Sequence, residues 1–229
     1  MRILSTKPLS ADELEFAASQ GAEVQCIEVI RTEPLAFQLP DANTYDAVVF
    51  TSANALRYFF RNDNAAAALA GKTIFSIGGK TEQHLNVKGF APQLTAYNGE
   101  QLADKIIASA TSQAVLHPCS SIRLPILEQK FKSAGIAYTS LPVYHTSLLS
   151  NVKAEGDYDV ILFFSPSGVE SFLAENKLPQ NVVCSCIGNT TAGYLKEKVA
   201  DAEVIIPAVP TAKEMLQLAV NHLRTEKKI

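Results

Sequence analysis

The feature that most constrains this chain is an internal repeat with a spacing of about 110 residues. Tyr45–Leu56 (YDAVVFTSANAL) returns as Tyr158–Val169 (YDVILFFSPSGV), 113 positions later. Ile77–Thr81 (IGGKT) returns as Ile187–Thr191 (IGNTT), 110 positions later. A sequence of 229 residues that repeats in this way predicts two similar units rather than one enlarged domain.

A third match gives the order of the copies along the chain. Gly21–Val29 resembles Gly135–Val143, at an offset of 114, so the chain reads A, B, A′, B′. Two pairings remain open. A with B gives two lobes in series, whereas B with A′ gives a central lobe flanked by a discontinuous one. Arg31–Asp41 and Thr146–Gly156 resemble connectors, and either pairing can use both.

The apolar residues occur mainly in short, nearly continuous runs, which is typical of parallel strands covered by helices on both faces. Helical stretches lie between these runs, and the first carries start and stop signals: Ser10 with Glu13 forms a capping-box pattern and Gly21 follows the last turn. This alternation predicts an α/β fold with parallel sheets. The predicted strands are Arg2–Ser5, Val24–Ile30, Asp46–Phe50, Thr73–Ile77, Val115–His117, Ile136–Tyr144, Val160–Phe164, Val182–Ile187 and Val204–Ile206.

In both copies a strand runs directly into small hydroxyl residues and then into a helix. These residues are Thr51 and Ser52 in one copy, and Ser165, Pro166 and Ser167 in the other. Either Ser165 or Ser167 can cap its helix, and Pro166 suits a first helical turn. Such turns serve as helix caps alone, or they bind anions at the carboxyl ends of strands.

The second repeated turn places Gly78 and Thr81 in one copy and Gly188 and Thr191 in the other at equivalent strand ends. Its Gly-Lys-Thr run resembles the end of a phosphate-binding loop. The first glycine of that motif would have to occupy position 74, which is Ile74, so the motif is not matched. No Gly-x-Gly-x-x-Gly fingerprint follows a strand either. We therefore expect no nucleotide.

Composition restricts the partners further. The net charge is −3, and Lys and Arg are scattered along the chain, which argues against a nucleic-acid or membrane surface. The N-terminal residues include no apolar run typical of a signal peptide, so a cytoplasmic location is expected. The Cys and His residues show no metal-binding spacing, and we expect no metal or other cofactor. They are Cys26, Cys119, Cys184, Cys186, His84, His117, His145 and His222.

Five short motifs occur in the order and spacing found in one enzyme family. They are Val48–Asn54 (VVFTSAN), Ile77–Thr81 (IGxxT), Leu141–Thr146 (LPVYxT), Phe163–Gly168 (FFSPSG) and Ile187–Ala192 (IGxTTA). Each is weak alone, but together they cover essentially the whole chain. The sequence therefore resembles the uroporphyrinogen-III synthases.

The resemblance implies a particular domain arrangement. Residues 36–145 would form a central α/β lobe, and residues 1–33 with 148–229 a discontinuous one. A two-stranded connector would join the lobes, with a cleft between them. The protein would be a monomer.

The resemblance also implies a reaction without a cofactor. Hydroxymethylbilane, a flexible linear tetrapyrrole with eight carboxylates, loses its terminal hydroxyl. The resulting azafulvene on ring A is attacked by the substituted position of ring D, and a spiro intermediate then recloses with ring D inverted. The enzyme would hold one folded conformer of the substrate, which is an effect of orientation.

Tyr144 matches the tyrosine of the family's Val-Tyr-x-Thr motif, and it is the candidate proton donor for hydroxide loss, although it could also be a packed aromatic residue. Lys7 follows the first strand, where many members carry Arg. Arg123 lies beyond a strand end of the central lobe, either as a carboxylate ligand or as a solvated side chain. The predicted substrate-binding set is Lys7, Thr51, Ser52, Gly78, Thr81, Arg123, Ser165, Pro166, Ser167, Gly188 and Thr191.

One alternative of another class remains. A two-lobed sensor of a small anion, without catalysis, would use the same repeat and the same strand-end turns. It predicts no turnover and gives Tyr144 no role.

Overall fold

The structure is a computed structural model that describes residues 1–226. In chain order the elements of the first half are β1 (Arg2–Ser5), α1 (Ala11–Ser19), β2 (Glu23–Cys26), β3 (Ile30–Pro34), β4 (Ala47–Phe50), α2 (Ala53–Phe59), α3 (Ala65–Leu69), β5 (Thr73–Ile77), α4 (Lys80–Val87), β6 (Leu94–Ala96) and α5 (Gly99–Ser109). Those of the second half are β7 (Ala114–Ser120), α6 (Ile126–Ser133), β8 (Ala137–Leu148), β9 (Val160–Phe163), α7 (Pro166–Glu175), β10 (Val183–Cys186), α8 (Asn189–Lys198), β11 (Glu203–Ile205) and α9 (Ala212–Glu226).

The chain folds into two compact units. Met1–Arg31 and the chain from Ser147 onward form the discontinuous unit, and Thr32–Thr146 forms the central unit. The chain passes from one unit to the other twice, within β3 and within β8, and these two strands are neighbours in one sheet.

The discontinuous unit contains a five-stranded sheet in the order β11-β10-β9-β1-β2, and all its pairings are parallel. Side chains alternate between its faces, as the period of a strand requires. Leu4, Ile161 and Cys184 join a buried cluster with residues of α7 and α8, whereas Ile3 and Val160 join one with residues of α1 and α9. The sheet is therefore covered on both faces.

The central unit has the same construction. Its sheet has the order β3-β8-β7-β4-β5-β6, and the five strands from β8 to β6 run parallel. Val48 and Phe50 pack with residues of α2, α3 and α4 on one face, and Val49 and Phe75 pack with residues of α5 and α6 on the other. The predicted α/β class, with parallel sheets flanked by helices, is confirmed.

The internal repeat relates the two sheets strand by strand. In the repeat β7 and β8 correspond to β1 and β2, and β4, β5 and β6 correspond to β9, β10 and β11. With that correspondence the order β2-β1-β9-β10-β11 becomes β8-β7-β4-β5-β6, which is the order observed. The two units thus have the same topology, reached by different routes along the chain.

Two details differ from the sequence-based expectation. The run predicted as one strand over Val24–Ile30 is two strands, β2 and β3, interrupted after Cys26. The short edge strand β6 follows a segment with Gly89 and Pro92 and was not predicted. Among residues 1–226, no helix is both long enough and apolar enough to cross a membrane.

Candidate active site

In each sheet the chain order reverses at one point, between β1 and β9 in the discontinuous unit and between β4 and β7 in the central unit. Open parallel sheets bind ligands outside the carboxyl ends of the strands at such switch points. The predicted residues Lys7, Ser165 and Ser167 follow β1 and β9, and Thr51 and Arg123 follow β4 and β7. The predicted site residues therefore lie at the two switch points that the sheet topology identifies.

At the switch point of the central unit, Thr51 and Ser52 form the turn between β4 and α2. The Ser52 side chain caps α2 by accepting from the backbone N–H groups of Asn54 (3.1 Å) and Ala55 (3.4 Å). The Thr51 hydroxyl lies 2.9 Å from Nε2 of His117, a residue of β7. Both hydroxyls are partly exposed at the carboxyl edge of the sheet.

Tyr144 lies on β8 in register with Ser120, the last residue of β7. Its ring stacks on Tyr58 at a centroid distance of 5.3 Å, and its hydroxyl is 3.5 Å from Oγ of Ser52. The residue is 8% exposed, and burial raises the pKa of its phenol. Tyr144 is thus a neutral phenol beside the turn that follows β4.

Arg123 lies between β7 and α6, where its guanidinium makes an ion pair of 2.9 Å with Glu128. The guanidinium also lies beside the hydroxyl of Tyr138 on β8, where its positive charge opposes the rise that burial causes in the pKa of Tyr138. Its Nε atom is buried without a hydrogen-bond partner among the described residues. Arg123 is therefore not merely a solvated helix residue.

A histidine that sequence reasoning did not select lies beside the predicted residue Thr51. His117 is 4% exposed in the middle of β7, with Nδ1 2.7 Å from the Tyr138 hydroxyl and Nε2 beside Thr51. Burial, followed by the charge of Arg123, lowers the pKa of its imidazole to about 3. The sequence did contain a signal for His117, namely a polar residue within an otherwise apolar strand. Buried polar groups are normally hydrogen-bonded, but the histidines were considered only as metal ligands.

At the switch point of the discontinuous unit, Ser165 caps α7 by accepting from the backbone N–H of Gly168 at 3.0 Å. Of the two predicted caps the structure thus selects Ser165, with Pro166 in the first turn. Ser167 is a helical residue whose hydroxyl lies 3.1 Å from that of Ser165. The ammonium of Lys7 lies 4.1 Å from the centre of the Phe164 ring, next to this turn. The predicted Lys7 and serine residues are therefore neighbours.

The second pair of turns lies one strand further along each sheet, after β5 and β10. Gly78 and Gly188 are partly exposed, whereas Thr81 and Thr191 are 2% and 3% exposed. The threonine side chains thus pack within their own units, and the glycines lie at the carboxyl edges. Gly79, at the start of α4, has a φ of 73°, which favours glycine.

Fold and site together define a class, that of parallel α/β proteins with hydroxyl-bearing turns at the switch points of two sheets of equal topology. Within that class, the chain belongs to the uroporphyrinogen-III synthase family. The family model described as "Uroporphyrinogen-III synthase HemD" matches residues 12–217. The family predicted from the five motifs is confirmed, and with it an enzyme of tetrapyrrole biosynthesis.

Individual relatives agree with the family assignment. The chain is 25% identical over 227 residues to a uroporphyrinogen-III synthase of Chlorobaculum parvum, covering 89% of this chain and 92% of the relative. It is 29% identical over 177 residues to the enzyme of that name from Saccharomyces cerevisiae, covering 66% of this chain and 64% of the relative.

Solved structures agree in fold. A mutant uroporphyrinogen III synthase from Thermus thermophilus has a TM-score of 0.69 at 18% identity, with all of both chains covered. The uroporphyrinogen-III synthetase of Helicobacter pylori also has a TM-score of 0.69, at 20% identity, with 97% of this chain and 100% of the other covered.

Proposed function

We propose that this chain converts hydroxymethylbilane into uroporphyrinogen III, closing the ring with loss of water and inversion of ring D. The observation that carries the proposal is the family match together with hydroxyl-bearing turns at the switch points of both sheets. A flexible substrate with many carboxylates needs hydrogen-bond donors at several separate positions. Two units of the same topology supply such positions twice.

The predicted lobes, residues 36–145 and residues 1–33 with 148–229, correspond in this proposal to the two compact units, and β3 and β8 form the connector. Both units bind the substrate. Thr51, Ser52, Gly78, Thr81 and Arg123 act in the central unit. The partners of the discontinuous unit are Lys7, Ser165, Pro166, Ser167, Gly188 and Thr191.

Each of these turns offers hydrogen-bond donors to the carboxylates of the substrate. In the discontinuous unit these donors are the Lys7 ammonium, the hydroxyls of Ser165 and Ser167, and the backbone N–H of Ser167 in the first turn of α7, which has ten residues. In the central unit they are the hydroxyls of Thr51 and Ser52. The buried Thr81 and Thr191 contribute by shaping their turns, and Gly78 and Gly188 allow close backbone approach.

Tyr144 is proposed as the proton donor for loss of the terminal hydroxyl. Burial raises the pKa of its phenol, so the hydroxyl holds its proton at neutral pH. When the proton passes to the leaving hydroxyl, water departs, and the protonated azafulvene of ring A and the Tyr144 phenolate remain. Ring closure later releases a proton from the ring D carbon that forms the final bond, and this proton restores the phenol. No metal or other cofactor takes part in this scheme.

Orientation supplies the selectivity. Hydroxymethylbilane closes by itself without inversion, so the protein must hold the conformer in which the substituted carbon of ring D meets the azafulvene. Groups fixed on strand ends hold a ligand more rigidly than long loops do. The proposal also includes a cytoplasmic monomer without nucleic-acid or membrane partners, which is consistent with the scattered positive charges.

The deciding experiment is incubation with freshly generated hydroxymethylbilane, followed by separation of the type I and type III isomers. We expect rapid formation of type III, unchanged by a chelator. Type I alone, at the rate of the buffer control, would contradict the proposal. Binding of the substrate without turnover would instead favour the anion-sensor alternative.

A further inference from the structure

The described part of the central unit contains a continuous line of polar side chains that runs from its carboxyl edge into the sheet. Thr51 Oγ1 is 2.9 Å from His117 Nε2, and His117 Nδ1 is 2.7 Å from the Tyr138 hydroxyl. The positively charged guanidinium of Arg123 lies beside the same Tyr138 hydroxyl. The line thus joins two predicted substrate-binding residues, Thr51 and Arg123, through two residues that the proposed reaction does not use.

The imidazole in the middle of this line is neutral. His117 is 4% exposed, and the nearby guanidinium of Arg123 adds to the cost of a positive charge. A neutral imidazole has one N–H donor and one acceptor nitrogen. His117 therefore donates to one of its neighbours and accepts from the other.

Arg123 favours one direction, because its positive charge beside the Tyr138 hydroxyl attracts the phenol oxygen and repels the phenol proton. With the phenol oxygen turned toward Arg123, the phenol proton is directed to Nδ1 of His117, 2.7 Å from the Tyr138 hydroxyl. The imidazole proton then lies on Nε2 and is donated to Thr51 Oγ1. The Thr51 hydroxyl accepts from within the protein, and its own proton is directed away from the sheet.

We propose that His117 and Tyr138 are positioning residues that make the Thr51 hydroxyl a permanent hydrogen-bond donor toward a substrate carboxylate. This inference rests on the proposed function, because it assumes that Thr51 binds hydroxymethylbilane. With the opposite tautomer, Thr51 would donate to His117 and would present only lone pairs to the carboxylate. A fixed tautomer thus suits an anionic ligand.

The tautomer is measured first, in the ligand-free protein, so that this test does not depend on the reaction. Ring ¹⁵N spectra distinguish Nε2–H from Nδ1–H imidazole, and a His117→Gln variant assigns the signal. We expect Nε2–H in the parent protein and a shift toward Nδ1–H in Tyr138→Phe. The Nδ1–H tautomer in the parent protein would overturn the inference.

Steady-state kinetics then test whether His117 acts through Thr51. We expect His117→Leu to raise KM for hydroxymethylbilane by about 10–100-fold with little change in kcat, since one hydrogen bond to a charged group is lost. His117→Gln keeps an amide N–H donor in reach of Thr51, so it should restore most of the affinity. Thr51→Val should raise KM as much as His117→Leu does.

The double variant separates positioning from a structural effect. In the Thr51→Val background, His117→Leu should leave KM unchanged, because the hydroxyl that it orients is already absent. Additive effects on KM would show that His117 acts otherwise and would overturn the inference. His222→Gln, at an exposed histidine paired with Glu203, is the matched control.

The experiments distinguish failure of the proposed function from failure of the positioning role. If the parent protein converts no hydroxymethylbilane, the function fails, whereas the ¹⁵N spectra still report the tautomer. If it converts the substrate and His117→Leu has no effect on KM while folding normally, only the positioning role fails.

Discussion

Burial acts in opposite directions on the two buried titratable side chains that flank the turn after β4. It raises the pKa of the Tyr144 phenol and lowers that of the His117 imidazole to about 3. In both cases the charged form loses hydration that the protein does not replace. Both groups are therefore neutral at physiological pH.

Replacing Tyr144 with Phe tests its proposed role as an acid. The ring and its stacking on Tyr58 remain, and the lost hydrogen bond to Ser52 is long at 3.5 Å, so the melting temperature should change little. We expect kcat to fall by about 10²–10⁴-fold, the usual contribution of general acid catalysis. The remaining product should still be mainly the type III isomer.

Tyr45→Phe is the matched control for this change. This change also removes a buried phenol hydroxyl, which donates to the backbone carbonyl of Ala68, but Tyr45 lies just before β4, away from the carboxyl edge. Its kcat should equal that of the parent protein. Full activity of Tyr144→Phe would make Tyr144 a packing residue, and a switch to the type I isomer would make it a positioning residue.

The low pKa of His117 predicts a specific loss of stability in acid. The unfolded chain binds a proton near pH 6.5 and the folded protein only near pH 3, so stability is complete above pH 6.5 and falls between these values. Between pH 6 and pH 4.5 the contribution of this one group falls by about 2 kcal/mol. Urea unfolding at each pH measures it.

The control is the same titration of His117→Gln, which lacks the ionisable ring. Burial raises the pKa values of the neighbouring Cys119 and Tyr138, so these two groups do not titrate in this range, and the other ionisable groups of the chain remain in the variant and cancel in the difference. The parent protein should lose stability more steeply than the variant as the pH falls. Parallel curves would mean that His117 is already accessible to protons in the folded state.

At the scale of elements, the glycines of the strand-to-helix turns differ in backbone conformation. Gly79 begins α4 with a φ of 73°, a conformation that L-residues rarely adopt, whereas Gly188 begins α8 in an extended conformation. A methyl group at Gly188 would meet no described heavy atom within 4 Å. Substitution at Gly79 therefore tests backbone strain, and substitution at Gly188 tests contact with the ligand.

We expect Gly79→Ala to destabilise the protein by about 1–2 kcal/mol because of its left-handed backbone. Gly188→Ala should keep the parent melting temperature and raise KM, since the added methyl group would hinder a carboxylate at the turn. Calorimetry and kinetics on both variants measure these effects. An unchanged KM in Gly188→Ala would remove Gly188 from the binding set.

The repeated aspartates at the other end of the strands have a structural role in both units. Asp46 accepts from the backbone N–H groups of Gln113 and Ala114, and Asp159 accepts from that of Arg2. Each carboxylate thus ties the first strand of one repeat copy to its neighbour across the switch point. The Tyr-Asp pair, prominent in the sequence repeat, therefore holds the strands together and lies away from the carboxyl edge.

At the scale of the whole molecule, the described residues form four buried hydrophobic clusters, each of which lies within one unit. Two consist of residues between Phe37 and Tyr144, and two consist of residues of the discontinuous unit. A unit that contains its own core can fold by itself. The central unit is also continuous in sequence, which makes it directly testable.

We expect residues 32–146, produced alone, to fold cooperatively and to lack activity. Far-ultraviolet circular dichroism during heating should show one transition, and the amide spectrum should resemble the corresponding signals of the full chain. Activity is lost because the discontinuous unit with its turn at Ser165 is missing. A random-coil spectrum would show that the central core needs the rest of the chain.

The family and the alternation of strands and helices could be read from the sequence because both depend on short segments. The runs at Arg2–Ser5 and Thr73–Ile77 coincide with β1 and β5, and the capping box of Ser10 with Glu13 is present as predicted. Apolar periodicity and capping residues act within a few positions of each other. The five motifs likewise keep their spacing without any knowledge of the fold.

Features that depend on residues far apart in the chain could not be predicted from the sequence. Only the tertiary structure pairs β1 with β9 and β4 with β7, interrupts the run at Val24–Ile30 and adds the edge strand β6. The line from Thr51 through His117 and Tyr138 to Arg123 also required it. The sequence by itself determined which segments form elements and to which family they belong, because those signals are local. The tertiary structure decided which elements pair and which polar side chains meet, because hydrogen bonds between residues 21 to 66 positions apart exist only once the sheet has formed.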